Sequence, residues 1–503
     1  MAKSIFVTSM VASLFLASCA SHADNTPINE VSPQADVATA ETLSASSAIT
    51  DIRLARSALE QIHPGYADFT SEEDLSRAWA ALEARASDGI SETALYLAMA
   101  EIVARIRCDH TKIELDKARV SARETAPVYL PFRFRVFDGR MFVETPGASG
   151  LSKGDEILTI EGDPVSERLR AVADYMSVDG FTDHVKWENV EGSSEELGSG
   201  FDHYDPLLNP DDENVTLTVR RPTGAVSTLT MPRLGYKDFR AMTGGTRYRN
   251  FSDDGAITVK YPSEGVAYLS VNTFVNYRTP IDPIEAFRPA FDAFAERGIK
   301  TLIVDNRENG GGSTDVQNAL IAHLVNGYIK PVSDIGVRTI DVSAFKPHLS
   351  TWEQLALDPP REAFIDRANG WYSIRPELQD SLQGFEATPN SFDGKLILLT
   401  SHTNASGATQ MTGVLRQRPN TVLVGEPTGG TQRGPNGGVI YYLTLPNTGF
   451  VVRIPWQRWR SNIEAPEYGL GFTPDIETPE TYETWKSGED VALEAALEIA
   501  TQQ

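Results

Sequence analysis

At 503 residues the chain has room for roughly two to four domains, and with 41% apolar residues it can bury several cores. Lys and Arg number 45 against 69 Asp and Glu, a formal charge of −24, which argues against a nucleic-acid binder because phosphate contacts need clustered cations. There are only two cysteines, Cys19 and Cys108, so no disulfide framework is implied.

The first residues read as an export signal. Met1-Ala2-Lys3 is basic, and the apolar stretch 4–17 is too short to span a bilayer. Leu16-Ala17-Ser18-Cys19 resembles a bacterial lipobox. That resemblance implies cleavage after residue 18 and a lipid on Cys19, with Ala20 rather than Asp pointing to the outer membrane. The alternative is a plain secretory signal, which would leave the chain free rather than tethered. Residues 19–48, rich in Ser, Ala, Thr and Asp, read as a flexible linker. Helical spacing then starts with Ile52, Leu59 and Ile62, and three helices are expected before Arg107-Cys108-Asp109-His110-Thr111. Residues 49–118 form a helical domain on this reading.

Strands are expected over 128–136 and 141–144 across Asp138-Gly139, and over 215–221 and 226–231 across Thr223-Gly224. Between them, Gly150-Leu151, Gly154-Asp155, Ile157-Leu158 and Gly162 resemble the corresponding run of PDZ domains. Residues 119–233 are accordingly read as a PDZ-like domain, a module that binds extended peptides by strand addition. A purely structural β-module is the alternative. The stretch 166–213 is longer than such a domain needs and reads as a helix plus an insertion.

From 234 onward strands alternate with helices, which implies parallel β-α-β units. The apolar run Leu396-Ile397-Leu398-Leu399 leads into small polar residues and then Ser406-Gly407, with a helix expected over 408–417 before Pro419. A serine at a strand-to-helix corner is exposed beside free N–H groups, as a nucleophile requires; a helix cap is the other reading. Upstream, Asp305, Arg307 and Asn309-Gly310-Gly311-Gly312 end another strand. A phosphate loop would want Lys-Ser or Lys-Thr after the glycines, and none follows, so an oxyanion hole fits better.

Together with Gly425-Glu426-Pro427-Thr428-Gly429-Gly430, these motifs resemble the catalytic core of the tail-specific, or C-terminal processing, serine peptidases, the family that includes the tricorn core and the repeats of interphotoreceptor retinoid-binding protein. The resemblance implies a mixed α/β multi-domain fold with a core of the ClpP/crotonase-like type over 234–503. It implies Ser406 as nucleophile and amides of Gly407 and of Gly310 or Gly311 as oxyanion donors. Bacterial processing proteases carry a Lys base where Thr431 stands, and the only Lys after Ser406 is Lys486. The tricorn-like branch uses His and an acid instead, which implies His110 as base; His402 and His323 are rivals. The family's acid would fall on Tyr468, so Glu467 is the expected acid, with Glu464 the other choice. No zinc spacing occurs, so no metal or cofactor is expected. The partners expected are polypeptide substrates and, through the lipid, a membrane of the cell envelope. A non-catalytic binding protein on the same scaffold and a hydrolase of small esters or amides remain as alternatives.

Overall fold

Three serines start the three N-terminal helices. Ser44, Ser71 and Ser91 cap α1 (Ala45–Ile62), α2 (Glu72–Ala86) and α3 (Glu92–Ala104), each accepting an N–H from three residues ahead. The structure is a computed structural model, and it describes residues 42–501 apart from 148–149, 193–197, 211 and 244–249. Cys19 and the signal lie outside the described residues. Helix α1 begins inside the stretch expected as linker, because Ser44 caps it and Ala48, Asp51 and Ile52 are buried on its first turns. Among the described residues no helix is long and apolar enough to cross a membrane.

The helical unit is fastened to the core rather than hung beside it. Asp51, with no exposed surface, accepts hydrogen bonds from Asn447 N and Nδ2 and from Thr448 N and Oγ1. After α3 the chain makes a two-residue strand, β1 (Ile113–Glu114), which pairs antiparallel with Val451 and Val452. The segment that carries His110 is thereby held against a distant part of the chain.

The next module is an antiparallel sheet. Its strands β2 (Arg133–Phe137), β3 (Arg140–Thr145), β4 (Glu156–Ile160), β5 (Asn214–Arg220) and β6 (Val226–Pro232) lie in that order, with both expected hairpins formed. The stretch between β4 and β5 holds helices α4 (Val165–Ala173), α5 (Val185–Glu191) and α6 (Gly200–Leu208).

The third part has two sheets. The first consists of β7 (Ile257–Ser263), β8 (Val266–Val271), β9 (Thr301–Asp305), β11 (Lys395–Thr400), β12 (Thr421–Gly425) and β15 (Ile476–Glu477), side by side in that order and parallel from β8 onward. The second is antiparallel and built on β10 (Val332–Val337), β13 (Asn436–Thr444) and β14 (Val451–Ser461). Helices α7 (Pro283–Glu296), α8 (Thr314–Leu324) and α9 (Ser406–Arg416) pack on one face of the parallel sheet and α10 (Val491–Thr501) on the other. The unbroken apolar run of β11 is explained by this two-sided cover. Leu396 and Leu398 join Phe287 and Met411 on one face, while Ile397 and Leu399 join Val424 and Ala496 on the other. Each of these four fully buried side chains contributes about 1.5–3 kcal/mol.

Candidate active site

The carboxyl ends of β9, β11 and β12 open on one side of the parallel sheet, the usual place for a site in such a fold. Ser406 stands there as the first residue of α9 and is partly exposed. Its φ is +47°, in the left-handed region that side chains seldom adopt. Holding a serine so costs about 1–3 kcal/mol, and such strain persists only where neighbours impose it.

The neighbours come from the three motifs. Gly311, at φ +105°, lies so close that a Cβ there would come within 3.0 Å of Ala405 O, Gly407 N and Ser406 Cβ. A Cβ on Gly430 would lie 3.2 Å from Ser406 N. Asn404 ties these segments together. Fully buried, its Nδ2 donates to Asn306 O (2.5 Å) and Asn309 O (3.0 Å), and its Oδ1 accepts Ser401 N–H (2.9 Å). Its carbonyl accepts the N–H groups of Gly429 and Gly430 and the Thr409 hydroxyl. Asn404 was not singled out from the sequence; its only signal there is an amide side chain in the short polar loop Ser401-His402-Thr403-Asn404-Ala405.

The two candidate glycine donors differ. The Gly311 N–H is already given to Asn309 Oδ1 at 2.9 Å, which corrects the expectation that it serves as an oxyanion donor; Gly311 supplies space instead. Gly407 lies in the first turn of α9, at a helix N-terminus, whereas Gly310 lies in the loop that follows β9.

His110 occupies a seat of its own. Asp109 N–H donates to Asp179 Oδ1 (2.9 Å), Ser177 Oγ donates to Thr111 O (2.9 Å), and Thr111 Oγ1 pairs with His63 Nε2 (2.7 Å). The His110 ring packs against Gly437, where a Cβ would be 3.5 Å from Nε2. His110 Nδ1 is buried without a hydrogen-bond partner, and so is Asp179 Oδ2. One ring nitrogen of His110, one carboxylate oxygen of Asp179 and the Cys108 sulfur lie within 4.8 Å of one another. Burial pushes the Asp179 carboxyl up to about 6, and the neighbouring His110 opposes the shift. Burial pushes the Cys108 thiol up to about 12, which disfavours the thiolate and leaves it a poor nucleophile. Among the described residues no hydrogen bond joins Ser406 and His110; hydrogen bonds of a catalytic site often form only once substrate is bound. Thr431, at the place of the processing proteases' lysine, bridges the two halves: it follows Gly430, and its Cγ2 lies 2.8 Å from a Cβ built on Gly180, next to Asp179.

The carboxylate beside His110 is thus Asp179, not the expected Glu467. Glu467 is engaged by Gln432, which donates Nε2–H to Glu467 Oε2 (2.9 Å) and accepts Glu467 N–H (2.9 Å). Glu464 gives its N–H to Gln417 Oε1. His323 bonds Ala319 O through Nδ1 and packs on Phe291, a satisfied core residue. His402 faces Glu188 and Glu426, with its Nδ1 3.8 Å from an oxygen of each. Among the described residues these three are the second group with metal-ligand spacing. Burial holds the His402 imidazole down at about 4.

No curated protein sequence matches the chain. Among solved structures, mature CPAF complexed with lactacystin aligns at 16% identity over 91% of this chain and 98% of that one, with a TM-score of 0.60. A CPAF mutant aligns at 15% identity over 91% and 97%, with a TM-score of 0.64. The photosystem II D1 C-terminal processing protease aligns at 15% identity over 89% and 98%, with a TM-score of 0.39. The CPAF likeness shows a shared fold. Residues 265–478, which hold all three motifs, match the model of Peptidase family S41. Residues 265–478 are thus a Peptidase family S41 domain, and the chain is a serine-type peptidase.

Proposed function

We propose that the protein is an endopeptidase that uses Ser406 as nucleophile and His110 as general base on polypeptides outside the cytoplasm. The observation that carries this reading is the left-handed φ of Ser406 at the mouth of α9, pressed by Gly311 from behind. In the proposed reaction His110 Nε2 takes the Ser406 proton as Oγ attacks the scissile carbonyl carbon. The amides of Gly407 and Gly310 receive the oxyanion, a contribution of about 3 kcal/mol for a single donor. The protonated imidazole then passes its proton to the leaving amine, and water repeats the sequence on the acyl-enzyme. Asp179, rather than Glu467, stabilises the imidazolium through Nδ1. The antiparallel module of β2–β6, read as PDZ-like, would present the substrate strand.

A fluorophosphonate probe tests the nucleophile. Labelling and cleavage of unfolded protein should both be lost in Ser406→Ala with the melting temperature unchanged; labelling that survives in this variant would place the nucleophile elsewhere. The extracytoplasmic site of action is supported by the sequence around Cys19. Palmitate incorporation that disappears in Cys19→Ser would bear out the lipid anchor, and its absence from the parent chain would remove it.

A further inference from the structure

The acidic cleft beside the catalytic loop is not used by the chemistry above. It measures about 670 Å³, lies at the carboxyl ends of β9, β11 and β12, and is lined by Glu188, Asp305, Glu308, Glu426, Glu480 and Asp490 among others. Of its three cations, Lys260 lies over the Tyr268 ring and the two arginines are already paired. Arg135 pairs with Glu191 and Glu480, and Arg307 with Asp305 and Asp490. Among the described residues neither Glu188 nor Glu426 pairs with a lysine or arginine.

These two glutamates are each tethered by one oxygen and presented by the other. Glu188 Oε2 accepts the Thr403 hydroxyl at 2.9 Å, and Glu188 Oε1 faces His402 Nδ1 at 3.8 Å. Glu426 Oε1 accepts Glu480 N–H at 3.1 Å, and Glu426 Oε2 faces the same Nδ1 at 3.8 Å. A separation of 3.8 Å is too long for a hydrogen bond. Two donors about 2.0–2.2 Å from one ion reach this spacing at an angle of roughly 120–145°, so slight closure of the side chains is needed to approach the tetrahedral value. The bonds from Thr403 and from the Glu480 amide are what orients carboxylate ligands in metal centres. The imidazole of His184 stacks on His402 with ring centroids 4.4 Å apart, and its Nε2 is engaged by Thr428 O.

We infer that Glu188, His402 and Glu426 form a binding site for one divalent transition-metal ion of the zinc class, whose remaining coordination positions face the cleft. One nitrogen with two carboxylates suits zinc or manganese, whereas calcium and magnesium prefer oxygen alone. Glu188 comes from α5 in the long stretch between β4 and β5, His402 from the loop that ends in Ser406, and Glu426 from the end of β12. An ion here clamps the antiparallel module onto the loop that carries the nucleophile. The site is independent of the peptidase reading, because none of its ligands takes part in the proposed chemistry.

The test uses the full mature chain carrying Ser406→Ala, which prevents self-digestion, stripped with chelator and titrated with Zn²⁺ by calorimetry. One ion per chain is expected, with a higher melting temperature that chelator reverses. His402→Ala and Glu426→Gln should each weaken binding by about tenfold or more, while Asp179→Asn, which alters the other group of close ligand atoms, should leave it unchanged. Co²⁺ in place of Zn²⁺ should give visible absorption bands that His402→Ala abolishes; circular dichroism checks that the variants are folded. The inference is overturned by no binding, by binding indifferent to both His402 and Glu426, by loss in Asp179→Asn, or by equal affinity for Mg²⁺.

Discussion

Around Ser406 the hydrogen bonds that shape the site run between residues 271 and 430, all within the S41 domain. Around His110 they reach from His63 to Arg453, whose N–H donates to Lys112 O, and they include Asp179 from the stretch between β4 and β5. The proposed nucleophile and the glycines proposed as its oxyanion donors are therefore preorganised by one sheet and its loops. His110 and Asp179, the proposed base and acid, lie together only while three parts of the chain remain docked. Such a division lets docking control activity without disturbing the strained serine, since a seat built from tertiary contacts can open at lower free energy than a central strand.

The sharpest way to break this comparison is to ask which acid serves His110. Asp179→Asn should lower kcat by about 10²–10⁴-fold, with KM little changed, and Asp179→Glu should restore part of it. Glu467→Gln, whose partner is Gln432, should cost far less. If instead Glu467→Gln is the damaging change, the histidine half is oriented from within the S41 domain and the contrast collapses.

A smaller effect is expected from the docking contact itself. Asp51→Ala leaves four donors on Asn447 and Thr448 without their acceptor in a buried place, a cost of about 3 kcal/mol. Hydrogen exchange should quicken at Ile113 and Glu114, which pair with Val452 and Val451 next to that loop, while Leu396–Leu399 stay protected. Activity should fall with the loss of the histidine seat. Equal acceleration in both regions would mean that the two halves open together.

The same contrast explains what could be read from the residues in order. That Ser406 stands at a strand-to-helix corner and that Gly311 packs against it was legible, because in each motif strand, loop and helix follow one another within a short run. Even there, which glycine amide stays free depends on Asn309 Oδ1, a side-chain choice that spacing does not encode. Asp179 was not legible: in sequence it is one acid in an acidic stretch, and only tertiary contacts, the bonds of Ser177, Asp179 and Gly180 to residues 107–111 and the packing of Gly180 and Phe181 against Gly469, bring its loop to His110. Glu467 was drawn from the family pattern, and Gln432 holds it instead. The start of α1 was missed because Ser44, Ser46 and Ser47 read as tether, although Ser44 is a cap. The antiparallel sheet around β10, β13 and β14 includes strands of two or three residues between short 3₁₀ turns, which leave no periodicity to read.

The smallest predicted effect separates function from stability at one residue. Burial raises the Asp179 carboxyl from its ordinary value near 3.8 to about 6. A folded-state pKa above the unfolded one means that the contribution to stability is complete below pH 3.8 and is lost as pH rises through 6, because the buried carboxylate must then be ionised. Asparagine keeps an oxygen for Asp109 N–H and carries no charge. Asp179→Asn should therefore be more stable than the parent at pH 8, on the order of 1–3 kcal/mol, and equal to it near pH 4. Melting curves of both chains across that range measure it. A variant that is less active and also less stable at pH 8 would show that Asp179 serves as a structural bond. A variant less active yet more stable is what a carboxylate kept for its imidazole, at a cost to the fold, requires.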